Sequence, residues 1–261
     1  MALTLVLPSL AAAQTRFDYS AFDRLLHLHV VAGLVDYDAF DRSPDFAGYL
    51  DRLSKFDPSG LPTQDRLAFW INAYNAYTIR LITTHRERRS IRNINKSIGF
   101  IKGYGPWKEK LAVVGDSAYG LDEIEQGIIR PEFKEPRIHF ALVCAAMGCP
   151  PLRSEVYTGG RLDEQLDDQA RTFLLHSPAQ NRVDVEHRAV YVSQVFKFRD
   201  YQKDFGGNKE AVARFIAGYY PPGPERALLE GGKWEKFEYT DYDWTLNSQE
   251  RARMAPRSQQ R

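Results

Sequence analysis

The sequence predicts a single α+β domain in which several helices pack around a small, mainly antiparallel sheet. Three observations support this prediction: a long segment with apolar residues at helical spacing, short β-rich segments separated by turn signals, and an interior without repeats or linkers. A chain of 261 residues, of which 43% are hydrophobic and 26% charged, has enough apolar side chains to bury a substantial core.

The first half of the chain is predicted to be mainly helical. A helical pattern from Phe17 to Val31 is followed by Gly33, which we expect to act as the C-cap, and a second, short helix covers Phe46 to Ser54. The strongest pattern runs from Gln64 to His85, after the start signal Pro62-Thr63. Because this third helix is apolar on nearly every face, we expect it at the centre of the domain.

The second half is predicted to alternate between short strands and helices, after a loop-like stretch over residues 90–120. Its predicted elements are a hairpin around Val113–Asp116, a helix from Leu121 to Ile129, a buried strand from Ile138 to Cys144, a helix from Leu162 to Leu175, a hairpin of Val183–Val185 with Val190–Val195, a helix from Ala211 to Tyr219, and a late strand or strand pair between Lys233 and Leu246.

The two ends of the chain differ from its interior. Ala2 to Gln14 form an apolar run that ends on small residues, as at the end of a secretory signal peptide. The positively charged segment that usually begins such a peptide is missing. The alternative is a frayed first strand. We expect residues 1–14 to be a signal peptide truncated at its start, residues 15–246 to be the globular domain, and residues 247–261 to be a disordered polar tail. The apolar run is too short to span a bilayer, so we expect an exported protein without a transmembrane segment.

Charge and cysteine content narrow the classes of partner and cofactor. The chain has 35 basic and 34 acidic residues, a formal charge of +1, which argues against nucleic acid or an anionic membrane as a partner. Its two cysteines lie five residues apart and cannot supply a four-ligand zinc site. We therefore expect no metal and no organic cofactor.

The segment that contains both cysteines carries the strongest chemical signal. His139 lies in its apolar strand and Cys149 at its Gly-Cys-Pro-Pro corner. Pro150 favours an N-cap position for Cys149, where free N–H groups stabilise a thiolate, and a nearby imidazole makes that thiolate a nucleophile for acyl transfer. The alternative for Cys149 is a buried or disulfide-bonded cysteine. In a regular strand Cys144 points away from His139, so we expect it to be a small core residue.

A third group should orient the imidazole of His139. Asp122, Glu123 and Glu125 are the candidates, because the helix that carries them leads directly into the strand, and we select Glu123. The alternative is a solvated first turn that complements the helix dipole. Arg137 flanks the loop and is expected either to bind substrate or to pair with these acids.

Two asparagines in the long helix form a second polar cluster. Asn72 and Asn75 are three residues apart on a face that is otherwise apolar, and buried amides must be hydrogen-bonded. They are expected either to hold loop backbone in place or to donate to a developing oxyanion or orient His139. With Trp70, Tyr74 and Trp107 they could instead line a ligand pocket or peptide groove.

Several segments together give the chain a resemblance to the domain of unknown function 547 family. The resemblance extends from about Tyr19 to Phe205, and its segments are Ala68–Ala76, Leu121–Arg130, Arg137–Cys144 with Gly148–Leu152, and Ser193–Phe196 with Asp204-Phe205. It implies a domain found in exported bacterial proteins and in plant proteins beside a coiled coil. Members of the family often have histidine after Ile-Glu, where this chain has Gln126, so we do not expect a base at that position.

Two functions remain as alternatives. The first is an exported thiol-dependent acyl-transfer enzyme of the bacterial periplasm or medium, a peptidase, amidase or transferase acting on a small molecule or peptide. By analogy, its Cys–His pair on an α+β scaffold is similar to the papain and transglutaminase enzymes. The second is a non-catalytic ligand- or peptide-binding module of the bacterial envelope. A zinc site from His139, Cys149 and a carboxylate is a third, weaker hypothesis.

Overall fold

The helix Thr63–Thr84 lies at the centre of the protein, as predicted. Every residue from Leu67 to Ile79 is buried, because other elements cover this helix on all sides. Burial on every face explains why its sequence shows apolar residues all round instead of a single stripe.

The computed structural model describes residues 16–97, 102–198 and 200–254. The predicted signal peptide and residues 255–261 of the predicted tail lie outside these ranges. The α-helices of the described residues, α1 to α10 in chain order, are Ser20–His29, Tyr37–Arg42, Pro44–Lys55, Thr63–Thr84, Arg130–Phe133, Ile138–Ala141, Leu162–His176, Lys209–Ala217, Pro224–Gly231 and Gln249–Met254.

The strands of the described residues form three small sheets instead of one. Two are antiparallel hairpins, Val30–Val31 with Leu34–Val35 and Ala112–Val114 with Ser117–Tyr119, and in the third Ala189–Val192 pairs antiparallel with Arg182–Asp184 and parallel with Lys236–Tyr239. The α+β class with mainly antiparallel pairing is therefore confirmed. The strands β1 to β7 are Val30–Val31, Leu34–Val35, Ala112–Val114, Ser117–Tyr119, Arg182–Asp184, Ala189–Val192 and Lys236–Tyr239.

The predicted buried strand over Ile138–Cys144 is wrong. Ile138–Ala141 form one turn of helix, and the chain becomes extended only at Leu142. A short apolar run that is buried on all sides has no periodicity that separates a strand from a helix. Gly33 also differs from the prediction, because α1 ends at His29 and Gly33, with φ of 79°, forms the turn of the β1–β2 hairpin.

The start of the predicted disordered tail is ordered. Asn247 and Ser248 are buried, and α10 follows them. The Asn247 amide accepts a hydrogen bond from the Tyr37 hydroxyl at 2.5 Å and donates one to the Gly33 carbonyl at 3.2 Å. These contacts link residues more than 200 positions apart, so no local sequence pattern indicates them.

Two hydrophobic clusters meet at α6. The first surrounds α4 and contains Ile138 and Ala141, whereas the second packs between α7, α8 and the three-stranded sheet and contains Phe140. Consecutive residues of one helical turn therefore face different clusters, and His139 lies at the boundary between them. Among the helices of the described ranges, none has both the length and the apolar character needed to cross a membrane.

Candidate functional site

A cavity of about 190 Å³ lies at this boundary and brings His139 together with Cys144 and Cys149. Its wall also includes the carboxylates Asp122 and Glu125. The rest of the wall is mainly aromatic, with side chains from both halves of the chain: Tyr74, Trp107, Phe198, Tyr201, Tyr242 and Trp244.

Asn75 positions the segment between the histidine and the cysteines. Its side-chain amide donates to the Ala141 carbonyl at 2.9 Å, and its side-chain oxygen accepts from the Val143 N–H at 3.0 Å. These bonds hold the chain reversal after α6 against the central helix. Asn75 thus holds loop backbone, which is one of its two predicted roles.

The sulfur of Cys149 lies in a concave turn that provides hydrogen-bond donors. The N–H of Cys144 donates to Sγ of Cys149 at 2.9 Å, and the two Sγ atoms are 2.6 Å apart as free thiols. Ala145 is buried with φ of 58°, a left-handed conformation that makes successive N–H groups converge. Burial raises the pKa of Cys149, but hydrogen bonds from Cys144, Tyr242 and the backbone outweigh it, and the net pKa is lowered.

Cys144 has the opposite character. The hydrogen bond with Cys149 and burial raise its pKa, so Cys144 is the thiol of the pair that keeps its proton when Cys149 loses one. Its Sγ lies 2.9 Å from the Tyr242 hydroxyl. Gly148 makes this contact possible, because a Cβ there would lie 2.9 Å from the backbone nitrogen of Asp243 and 3.1 Å from the Tyr242 ring. The glycine is needed for this close approach.

The His139 imidazole is almost completely buried and is held from two directions. Nε2 lies 2.7 Å from Oδ2 of Asp204, and the ring stacks on Tyr201 with centroids 4.0 Å apart. Since a carboxylate only accepts, Nε2 carries the proton and donates. Nδ1 has no hydrogen-bond partner among the described residues and lies 3.8 Å from Oε1 of Glu125. Nδ1 is therefore the ring nitrogen that can exchange a proton with a bound molecule.

Arg130 completes the support for the imidazole. Its Nε and Nη2 donate to the two carboxylate oxygens of Asp204 at 2.7 and 2.9 Å, and Gln126 accepts another hydrogen bond from it. Burial alone raises the pKa of Asp204, but hydrogen bonds from His139 and Arg130 hold it well below its usual range. Asp204 is therefore ionised and orients the imidazole. On the other side of the ring, the Tyr201 hydroxyl donates to Glu125.

Glu123 does not orient His139, which corrects the prediction. It is an exposed residue that pairs with Lys110 and accepts the Gly120 N–H at 2.8 Å. Asp204 holds the imidazole instead, and Glu125, another of the three predicted candidates, lies 3.8 Å from Nδ1. On a helix that begins at the surface, the acid of the first turn faces solvent and its neighbour two residues later faces inward.

Three other predicted site residues lie elsewhere. Arg137 pairs with Glu135 at 2.8 Å and Asp163 at 2.7 Å, which is the ion-pairing alternative. The Asn72 amide exchanges two hydrogen bonds with the Tyr157 backbone, at 2.7 and 2.9 Å, and so holds loop backbone in place. Trp70 lines a different cavity. None of these three is among the residues that line the His139 cavity, whereas Tyr74 is.

Local sequence patterns did not indicate several residues of the site. Asp204 is 65 residues from His139, and Tyr242 is 98 residues from Cys144. The only sequence signal for Asp204 was its place in the resemblance segment Asp204-Phe205. Tyr242 and Trp244 belong to the aromatic stretch between Lys233 and Leu246, for which the sequence predicts a strand or strand pair.

Cys149 and Pro150 also line a second, more open cavity of about 560 Å³. Its wall is more polar and includes Arg153, Asp168 and His176. Cys149 therefore lies between an aromatic cavity and an open groove. Across the part of the chain that the structure describes, no group of three or more His, Cys, Asp or Glu residues is arranged to hold a metal ion.

Comparison with known proteins supports the resemblance found in the sequence. Residues 58–174 match the family model described as "Protein of unknown function, DUF547". The matched segment contains α4, His139 and both cysteines, whereas Asp204 and Tyr242 lie beyond it. No curated protein and no solved structure matches the chain.

Proposed function

We propose that this chain, whose residues 58–174 match the DUF547 family model, is a thiol-dependent acyl-transfer enzyme, a peptidase, amidase or transferase, with Cys149 as its nucleophile. The observation that carries the proposal is the environment of the Cys149 sulfur. Backbone N–H groups, the Cys144 thiol and Tyr242 stabilise its thiolate at the wall of a cavity that also contains a carboxylate-held histidine. A stabilised thiolate that shares a cavity with an imidazole has the two groups that nucleophilic catalysis needs.

In the proposed reaction the Cys149 thiolate attacks the carbonyl carbon of an amide or ester. The bond to the leaving group breaks, a thioester forms, and the leaving amine or alcohol takes a proton from Nδ1 of the His139 imidazolium. Water or another acceptor then gives its proton back to Nδ1 and attacks the thioester, which restores the thiolate. The carboxylates of Asp204 and Glu125 flank the ring and stabilise its positive charge while Nδ1 holds the proton.

None of the described hydrogen bonds joins His139 to Cys149, so the imidazole acts on the substrate's leaving group and on the incoming water. This role suits Nδ1, because it has no hydrogen-bond partner among the described residues and His139 lines the same cavity as Cys149. The aromatic wall favours an apolar acyl group, and the open groove on the other side of Cys149 leaves room for the rest of a small molecule or peptide.

Export to the bacterial periplasm or medium is part of the proposal. Its support is the apolar run of residues 2–14, which ends on small residues. Mass spectrometry of the mature N-terminus, after fractionation of a bacterium that expresses the full chain, tests it. An uncleaved N-terminus on cytoplasmic protein would contradict it.

A ligand-binding module of the bacterial envelope is the second candidate. The observation that favours it is the aromatic wall, in which Trp107 and Trp244 pack 5.9 Å apart. An apolar ligand that changes tryptophan fluorescence without being consumed, in a protein whose Cys149 titrates as a free cysteine, would support this function over catalysis.

The deciding experiment is the alkylation rate of Cys149 by iodoacetamide against pH, resolved from Cys144 by peptide mass spectrometry. We expect rapid alkylation well below the free-cysteine pKa of about 8.5. The variant His139→Ala should retain a reactive thiol but lose turnover of fluorogenic amides and esters. His187→Ala, in the exposed turn between β5 and β6, is the matched control and should retain both. A thiol that titrates near the free value, or no acylation of Cys149 by any ester, would overturn the proposal.

A further inference from the structure

We propose that Cys149 and Cys144 form a redox pair, in which hydroperoxides oxidise Cys149 and Cys144 then closes a reversible disulfide onto it. The contact between the two sulfur atoms carries this inference. They lie 2.6 Å apart as free thiols. An approach of roughly half an ångström brings them to the covalent S–S length of about 2.05 Å.

The surrounding structure holds both sulfur atoms in place. The N–H of Cys144 donates a hydrogen bond to the Cys149 sulfur, and the N–H of the preceding residue, Val143, donates one to the side chain of Asn75 in the central helix. On the other side, Tyr242 contacts the Cys144 sulfur at 2.9 Å. The pair is thus oriented before any reaction, and disulfide formation requires no rearrangement of distant chain segments.

The two thiols differ in the way that such a pair requires. Cys149, whose pKa is lowered, is the thiolate that attacks the peroxide, and Cys144, whose pKa is raised, remains a thiol that reacts second. The open groove reaches only one of the two thiols, because Cys149 lines both the aromatic cavity and the groove, whereas Cys144, although more exposed as a residue, lines only the aromatic cavity. A small hydroperoxide can therefore reach Cys149 through the groove.

The chemistry proceeds in two balanced steps. In the first step the Cys149 thiolate attacks one oxygen of the hydroperoxide, so that an S–O bond forms and the O–O bond breaks. The sulfur is oxidised by two electrons to a sulfenic acid. The released hydroxide or alkoxide takes a proton from solvent. The Cys144 sulfur then attacks the sulfenic sulfur of Cys149; the S–S bond forms and the S–O bond breaks. The oxygen leaves as water with the proton of Cys144, and a thiol reductant restores both thiols.

The consequence for the protein is a reversible loss of its nucleophile. Oxidation converts Cys149 to a disulfide that cannot attack a carbonyl and protects it from irreversible oxidation. This consequence for activity rests on the proposed function, whereas the formation of the disulfide does not.

The test is intact-mass spectrometry of the reduced full chain after treatment with graded hydrogen peroxide. We expect the wild type to lose the mass of two hydrogen atoms and to regain it with dithiothreitol, and peptide mapping to locate the bond between the two cysteines. In Cys144→Ser and Cys144→Ala, Cys149 should instead gain oxygen atoms that dithiothreitol does not remove. Two replacements are used because the site is mostly buried, and thermal melting identifies any variant that fails to fold.

Oxygen addition to wild-type Cys149 at the same rate as in both folded variants, without loss of hydrogen, would overturn the inference. So would thiols that resist peroxide altogether. Disulfide formation in a protein that never transfers an acyl group would leave this inference intact and contradict the proposed function, so the two failures are distinguishable.

Discussion

Replacement of Asn75 by alanine tests whether the central helix controls the reactivity of the cysteines. The change removes two hydrogen bonds and leaves the buried Ala141 carbonyl and Val143 N–H without their partner. Each unsatisfied buried group costs about 1–3 kcal/mol, so the free energy of unfolding should fall by about 2–6 kcal/mol. This loss is a large fraction of a typical stability of about 5–15 kcal/mol, so the thermal melt of the variant is recorded before its alkylation is measured.

The variant Asn72→Ala is a matched control on the same helix. Asn72 makes the same pair of hydrogen bonds, at 2.7 and 2.9 Å, but to the backbone of Tyr157. We expect urea denaturation to give a similar loss of stability for both variants. Only Asn75→Ala releases the turn that presents the Cys144 N–H to the Cys149 sulfur, so only this variant should raise the pH midpoint of Cys149 alkylation.

Two results would refute this reasoning. A loss of less than about 1 kcal/mol in Asn75→Ala would mean that the amide is not needed to satisfy the buried backbone. Equal alkylation midpoints in the wild type and both variants would mean that the turn keeps its donors without help from the central helix.

Three further predictions concern the support of the site. Because the pKa of Asp204 is depressed in the folded protein, its carboxylate stabilises the fold at pH values above the ordinary pKa of 3.8, and this stability is lost as the pH falls through the folded-state pKa. Asp204→Asn should therefore be less stable than the wild type in urea at neutral pH, and the difference in stability should close in acid. A difference in stability that does not change with pH would contradict this. Gly33→Ala should lower the Tm, at a cost of about 1–3 kcal/mol, because φ is 79° and the new Cβ would lie 2.9 Å from Cα of Pro151. Gly60→Ala is the control and should leave the Tm unchanged, because there is open space where its Cβ would lie. Equal Tm shifts in the two variants would refute the argument. Tyr242→Phe removes a hydroxyl that lowers the pKa of the Cys149 thiol, so the pH midpoint of Cys149 alkylation should rise. An unchanged midpoint would exclude Tyr242 as a donor.

Local sequence patterns predicted those elements that repeat one periodicity over enough residues. The central helix was predicted over Gln64–His85 and is Thr63–Thr84, and the helix predicted over Leu162–Leu175 is Leu162–His176. The segment Ile138–Cys144 was predicted incorrectly because it is short and buried on all sides, so its apolar run is equally compatible with a strand and a helical turn.

The sequence by itself determined the α+β class, the central helix and the choice of His139 and Cys149 as candidate site residues, because residue type and local spacing carry that information. Only the tertiary structure decided that Asp204 holds the imidazole and that Tyr242 contacts the thiol pair, across 65 and 98 residues of chain. It also decided that Cys144 faces Cys149, because a single turn of helix in place of a strand changes the direction of every side chain that follows. Contacts of this kind depend on how whole elements pack, and no periodicity in the sequence records them.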